Sequence, residues 1–223
     1  MIAALVHKEL RELAPLLLLA ILAQTILLVS ALRWMPEPLD LVGAPYNIPF
    51  YDPLYDGDVI FLMIFVGGAF AVLAGLWQTL SELMRGTFHF LLHRPMPRTQ
   101  ILGVKLSVGA ASCLALTVLP ILGYAVWAAT PGTHPSPFFW SLTARAWLLC
   151  LGVTIIYLAT FLSGLRSAHW YASRFLPVVL ALFAGIFFYV LPWGWLPNAL
   201  SLVVVGALYV FAILHVSCAR DFS

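Results

Sequence analysis

FLPVVLALFAGIFFYVLPWGWLPNALSLVVVGALYVFAILHVSCA, residues 175–219, runs for 45 positions without a single Asp, Glu, Lys or Arg. A helix needs about 20 apolar residues to cross a bilayer, so the run is too long for one crossing. It is broken at Pro192-Trp193-Gly194-Trp195-Leu196-Pro197-Asn198, where Pro, Gly and Asn are turn formers. The segment therefore reads as a helical hairpin with both arms in lipid.

The rest of the chain has the same character. Lys+Arg 11 and Asp+Glu 9 make 9% of 223 residues, against 63% hydrophobic, where a soluble domain carries about 25% charge. A soluble fold of this size needs a polar coat that these residues cannot supply, so a soluble catalytic domain is excluded. Further apolar runs are Ala14–Leu32, Val59–Ser81, Leu106–Thr130 and Ala146–Leu165. With the hairpin they predict an all-α polytopic membrane protein in one transmembrane domain, 1–223. Its six spans cover residues 14–35, 59–81, 101–130, 143–165, 175–192 and 198–218, and 36–58 form an outer loop.

Charge placement predicts the orientation. With the N-terminus in the cytoplasm, Lys8, Arg11, Arg85, Arg94, Arg98, Lys105, Arg166, Arg174 and Arg220 lie inside, and only Arg33 and Arg145 lie outside. That is the positive-inside bias, and it puts both termini of a multi-pass protein on the cytoplasmic side of the inner membrane. Trp34, Trp127, Trp140, Trp193 and Trp195 fall at outer span ends, with Trp77 and Trp170 near inner ones, as interfacial belts do. Cleavage after Val29-Ser30-Ala31 is not expected, because the apolar run exceeds the 7 to 15 residues of a signal-peptide core. Cys113, Cys150 and Cys218 lack metal or CxxC spacing and read as buried free thiols.

Two cytoplasmic segments carry further pattern. In residues 1–13, Ile2, Leu5, Val6, Leu10 and Leu13 alternate with His7, Lys8, Glu9, Arg11 and Glu12. On a helix these form an apolar and a charged stripe, as in an amphipathic helix lying along the membrane surface; Lys8, Glu9 and Arg11, with Lys105, are its expected interface anchors. The loop 82–99 between spans two and three places Phe88, Leu91 and Leu92 at helical spacing before Pro95 and Pro97 stop the helix. A short basic helix with an apolar face outside the bundle looks like a docking element.

The order Glu82, Gly86-Thr87, Leu91-Leu92, Pro95, Arg98 and then Lys105 resembles the intracellular loop of ABC-2 type permeases, the membrane subunits of a class of ATP-driven transporters; Arg85 and Phe88 lie within the same loop. Lys8-Glu9-Leu10-Arg11-Glu12 is similar to that family's N-terminal amphipathic helix, and six spans with both ends inside match its topology. The resemblance implies that residues 82–98 form a coupling helix engaging a cytoplasmic P-loop ATPase subunit. It also implies a second permease chain, the same or a sister, and a substrate moved outward with ATP and Mg bound by the partner. This chain has no GxxxxGK[ST] phosphate loop of its own and lacks the large extracellular domain of bigger family members. No catalytic site, cofactor, metal or nucleic-acid partner is expected in it.

The remaining polar patterns are sparse. His89 and His93 share a helix face but lack a third ligand; Asp52, Asp56 and Asp58 lack the spacing of a calcium loop. Gly67, Ala71 and Gly75 recur every four residues on span two and make a smooth face for close helix approach, read as static packing within the bundle or as a dimer contact or moving interface. Gln24 and Thr25 are the deepest strongly polar pair and read as interhelical hydrogen bonding or a substrate path. Two alternatives to the permease are the six-span capture component of an importer, which would need buried polar groups around a ligand, and an intramembrane enzyme. The latter needs a nucleophile and base or paired acids inside the spans, and no Asp or Glu is expected in any span core.

Overall fold

In lipid a backbone N–H or C=O without a partner costs several kcal/mol, so an apolar chain closes its hydrogen bonds within helices. The computed structural model describes residues 2–33, 58–84, 97–130, 138–166, 171–191 and 194–219. They form six helices, α1 (Ile2–Arg33), α2 (Asp58–Met84), α3 (Arg98–Ala129), α4 (Ala144–Leu165), α5 (Tyr171–Val190) and α6 (Trp195–Ala219), with a 3-10 turn, Trp140–Thr143, leading into α4. Five contain stretches long and apolar enough to cross a membrane: Ile2–Ser30, Leu62–Ser81, Thr99–Ala129, Trp140–Leu165 and Trp195–Val216. The apolar stretch of α5, Ser173–Phe188, is shorter.

The surface helix expected over residues 1–13 is not separate from the first span. α1 is continuous from Ile2 to Arg33 through Pro15; that proline withholds a hydrogen bond from the Arg11 carbonyl without ending the helix. α1 and α3 each have 32 residues, about 48 Å of helix at 1.5 Å per residue. Both are longer than the ~30 Å hydrocarbon core, so both project beyond it.

α4 is the centre of the bundle. It packs against α2, α3, α5 and α6, while α1 lies on α2 and α3. Every residue of α4 from Ile155 to Leu165 is buried. Close approach of α2 depends on its small residues. A Cβ on Gly67 would stand 3.3 Å from Val153 and 3.4 Å from Thr117; on Gly75 it would meet the Phe161 nitrogen and Thr160 Cβ at 3.0 Å. Ala71 between them is fully buried. The Gly67–Ala71–Gly75 face is therefore occupied within the chain, chiefly by α4. Near the far end of the same contact, Thr79 fills the space where Gly164 has no side chain.

Many large apolar side chains are exposed and point outward, among them Leu18, Leu22 and Ile26 on α1, Phe183 and Ile186 on α5, and Val203 and Phe211 on α6. This inverts the surface of a soluble domain and suits a lipid surround. α5 and α6 join through a tight connection in which Gly194 takes φ 91°, a region open to glycine. Asn198 Nδ2 closes it by donating to the Leu191 carbonyl at 3.0 Å, and the Tyr209 hydroxyl on α6 donates to the Pro177 carbonyl on α5 at 2.7 Å.

Candidate functional site

Helical spacing decides which polar residues turn inward. On α1, Leu5, Glu9, Leu13, Ala20 and Gln24 are all buried, at intervals that keep one face. Glu9 thus belongs to the bundle-facing stripe despite its charged neighbours. On α3 the buried stripe Ile101, Leu102, Lys105, Val108, Ser112 and Cys113 includes a lysine. On α2, Gln78 continues the stripe of Ala71 and Ala74.

These residues meet. Lys105 Nζ donates to Glu9 Oε1 at 2.7 Å, with Lys105 and Glu9 1% and 0% exposed. Gln78 Nε2 donates to Glu9 Oε2 at 3.2 Å and to the Lys105 carbonyl at 3.3 Å. The Tyr157 hydroxyl, from the middle of α4, donates to Gln78 Oε1 at 2.7 Å and approaches the Lys105 carbonyl at 3.3 Å. A carboxylate only accepts, so the amide nitrogen of Gln78 must face Glu9 and its oxygen must face Tyr157. The hydrogen bonds form one line: α4 through Tyr157, α2 through Gln78, α1 through Glu9, α3 through Lys105.

Space for the line comes from Gly109, one turn beyond Lys105. Any Cβ there would collide with the hydroxyl and ring of Tyr157. At the solvent side of the cluster, Lys8 Nζ stands 3.7 Å from both Glu9 Oε1 and Glu12 Oε1, and Arg11 is exposed. Of the four expected interface anchors, Lys8 and Arg11 thus remain at the surface, whereas Glu9 and Lys105 are drawn inside. Burying both charges is tolerable because they pair with each other and Glu9 also accepts from Gln78.

The cluster also fixes which helix ends lie together. The start of α1, the end of α2, the start of α3 and the second half of α4 share one end of the bundle. There Arg174 closes the end of α4, its Nε and Nη2 donating to the carbonyls of Ser163 and Gly164 at 3.2 and 3.3 Å. Arg166 Nη1 donates to the Ser173 carbonyl at 3.3 Å, tying α4 to α5.

Within the expected coupling loop, Glu82 lies in the last turn of α2 and Arg98 opens α3. Arg85, Gly86, Thr87, Phe88, Leu91, Leu92 and Pro95 lie outside the described residues, as do His89, His93, Asp52 and Asp56. Of the deep polar pair, Gln24 Nε2 crosses to α2, donating to the Met63 carbonyl at 2.9 Å. Thr25 instead bonds its own helix, donating to the Ile21 carbonyl at 2.8 Å. Among the described residues, no three His, Cys, Asp or Glu side chains gather as a metal site would require.

Two cluster residues, Gln78 and Tyr157, escaped the sequence reading. The signal for Gln78 was present: it is a lone amide three residues beyond Gly75 on the small-residue face. For Tyr157, nothing in the sequence separates it from the interfacial and core aromatics.

The chain matches no protein-family model, no curated protein and no solved structure. Among the described residues the fold is all-helical, and its apolar surface and five helices suited to crossing a bilayer mark a membrane protein, with an ion-paired polar cluster at one end.

Proposed function

We propose that the chain is the membrane-spanning subunit of an ATP-driven transporter of the ABC-2 type, working with a separate P-loop ATPase and a second permease chain. The observation that carries this reading is the position of the Glu9–Lys105–Gln78–Tyr157 line. It joins α1 and α4 to the two helices, α2 and α3, that the segment 85–97 connects. A force on that segment reaches four helices through short hydrogen bonds and packed side chains. Such contiguous links are what coupling between a docking loop and a transport path needs.

In this reading α5 crosses the membrane as well, which brings the number of spans to six. Its 20 residues are about 30 Å long at 1.5 Å per residue, matching the hydrocarbon core. The end of the bundle holding the cluster is cytoplasmic, because all nine basic residues counted inside fall there by sequence order. The ATPase binds Phe88, Leu91 and Leu92, flanked by Arg85 and Arg98, and its closure on ATP and Mg tilts α2 and α3. Transport is outward across the inner membrane.

The test is ATP turnover in proteoliposomes. The wild-type chain is expected to change the rate of its ATPase partner, and the Phe88→Asp, Leu91→Asp double variant, inserted at normal level, to leave that partner at its rate alone. Equal stimulation by the variant would overturn the assignment of the loop.

A further inference from the structure

α4 ends at Leu165, and the last four carbonyls of a helix have no partner within it. The Leu162 carbonyl accepts from the Arg166 backbone N–H at 3.1 Å; the next two, of Ser163 and Gly164, accept from the Arg174 side chain. α5 has an orphan of its own, because Pro177 inside it has no N–H for the Ser173 carbonyl. Arg166 Nη1 donates to that carbonyl. Each arginine therefore caps the backbone of the other's helix.

This exchange satisfies hydrogen bonds and leaves charge over. A guanidinium stays protonated and has five N–H donors, of which Arg166 spends one and Arg174 two on carbonyls. Among the described residues, neither meets a carboxylate of the kind that Lys8 and Lys105 have. Both arginines are partly exposed. Phe175 and Leu176, next along α5, are 42% and 49% exposed, so the positive pair borders a lipid-facing apolar surface. Charge left uncompensated beside hydrocarbon is unfavourable and attracts an anion.

We propose that Arg166 and Arg174 hold the phosphate of an anionic phospholipid, whose acyl chains run along α5 over Leu176, Leu180 and Phe183. These three are exposed and share one helix face. The recognition chemistry, phosphate oxygens accepting guanidinium N–H groups, is the same for inorganic phosphate; the apolar border favours the lipid, which brings an anion and hydrocarbon together. Each side chain is already fixed on a carbonyl of the opposite helix, so little rotamer freedom remains to be lost on binding. That separates the pair from a mobile basic patch. The site is independent of the transport reading and stands if that reading fails.

Native mass spectrometry of the full chain, released from micelles holding equimolar phosphatidylglycerol and phosphatidylcholine, tests the proposal. The first lipid is anionic; the second carries its phosphate beside a cation. The wild type is expected to retain phosphatidylglycerol in preference to phosphatidylcholine. Arg166→Gln and Arg174→Gln are each expected to lower that preference about fivefold, the effect of one basic residue near an anionic surface. Arg11→Gln, which removes an exposed arginine from the same end of the bundle, is expected to leave it unchanged. Thermal unfolding supplies a readout that needs no variant: phosphatidylglycerol is expected to raise the unfolding temperature of the wild type more than phosphatidylcholine does, and inorganic phosphate to leave it where it is. Equal retention of the two lipids by the wild type would overturn the proposal whether or not the variants fold. So would an equal loss of preference in Arg11→Gln, which marks a diffuse basic surface. Inorganic phosphate that stabilises the chain and displaces the lipid would assign the pair to a soluble anion and overturn the lipid.

Discussion

Glu9 and Lys105 are the residues on which the cluster turns. Removing one partner leaves the other charge buried and uncompensated, at a cost of about 3–5 kcal/mol, whereas replacing both with apolar residues of similar volume is often neutral or stabilising. Lys105→Met alone is therefore expected to lower the unfolding temperature of the detergent-purified protein sharply, and Glu9→Leu with Lys105→Met to recover most of it. A double variant as unstable as the single one would show that the pair is not a closed unit. Both residues were visible in the sequence as charged, and their spacing from Leu5, Leu13, Leu102 and Val108 already put them on apolar faces. The density of charge in residues 7–12 argues for the surface, whereas the helical interval, four residues on either side of Glu9 to Leu5 and Leu13, argues for the bundle face that it takes. Tyr157 was illegible for a different reason: its partner is 79 positions away, and only packing brings them together.

At the scale of elements, the helices follow closely from the hydrophobic runs, because lipid leaves only helices and closed barrels and continuous apolar runs of about 20 residues are of helix length. Their junctions were less legible. Nothing in the alternation of residues 2–13 distinguishes a helix lying on the membrane from the first turns of a long span, and it is the packing of Leu5 and Leu13 that decides. The centrality of α4 was equally hidden, since its composition resembles that of α2 and α6. Small residues mark where it is gripped. Gly164→Ala is expected to destabilise by about 1–3 kcal/mol, as overpacking does, because its Cβ would enter the volume of Thr79. Gly206→Ala on α6 meets only an ordinary contact, 3.8 Å from Ile155, and is expected to be neutral or to stabilise by up to about 1 kcal/mol through helix propensity. Thermal unfolding of both variants in one detergent checks the pair. Similar losses at both positions would contradict the packing assigned to α4.

For the whole molecule, scarcity of charge identifies the solvent and the placement of charge orients the bundle. Among the described residues, Lys8, Arg11, Arg98, Lys105, Arg166 and Arg174 lie at the end where Glu9, Gln78, Lys105 and Tyr157 meet. A C-terminal green fluorescent protein, which fluoresces when it remains in the cytoplasm, is expected to be bright, and alkaline phosphatase fused after Asp52 to be active. The reverse pattern would invert the topology and detach the 82–98 segment from any cytoplasmic ATPase. The account as a whole rests on that ATPase. Purification of the native complex in mild detergent tests it most directly: the account predicts a P-loop ATPase retained in stoichiometric amount with this chain, and a chain that purifies without one, holding a small molecule within a single bundle, would contradict it.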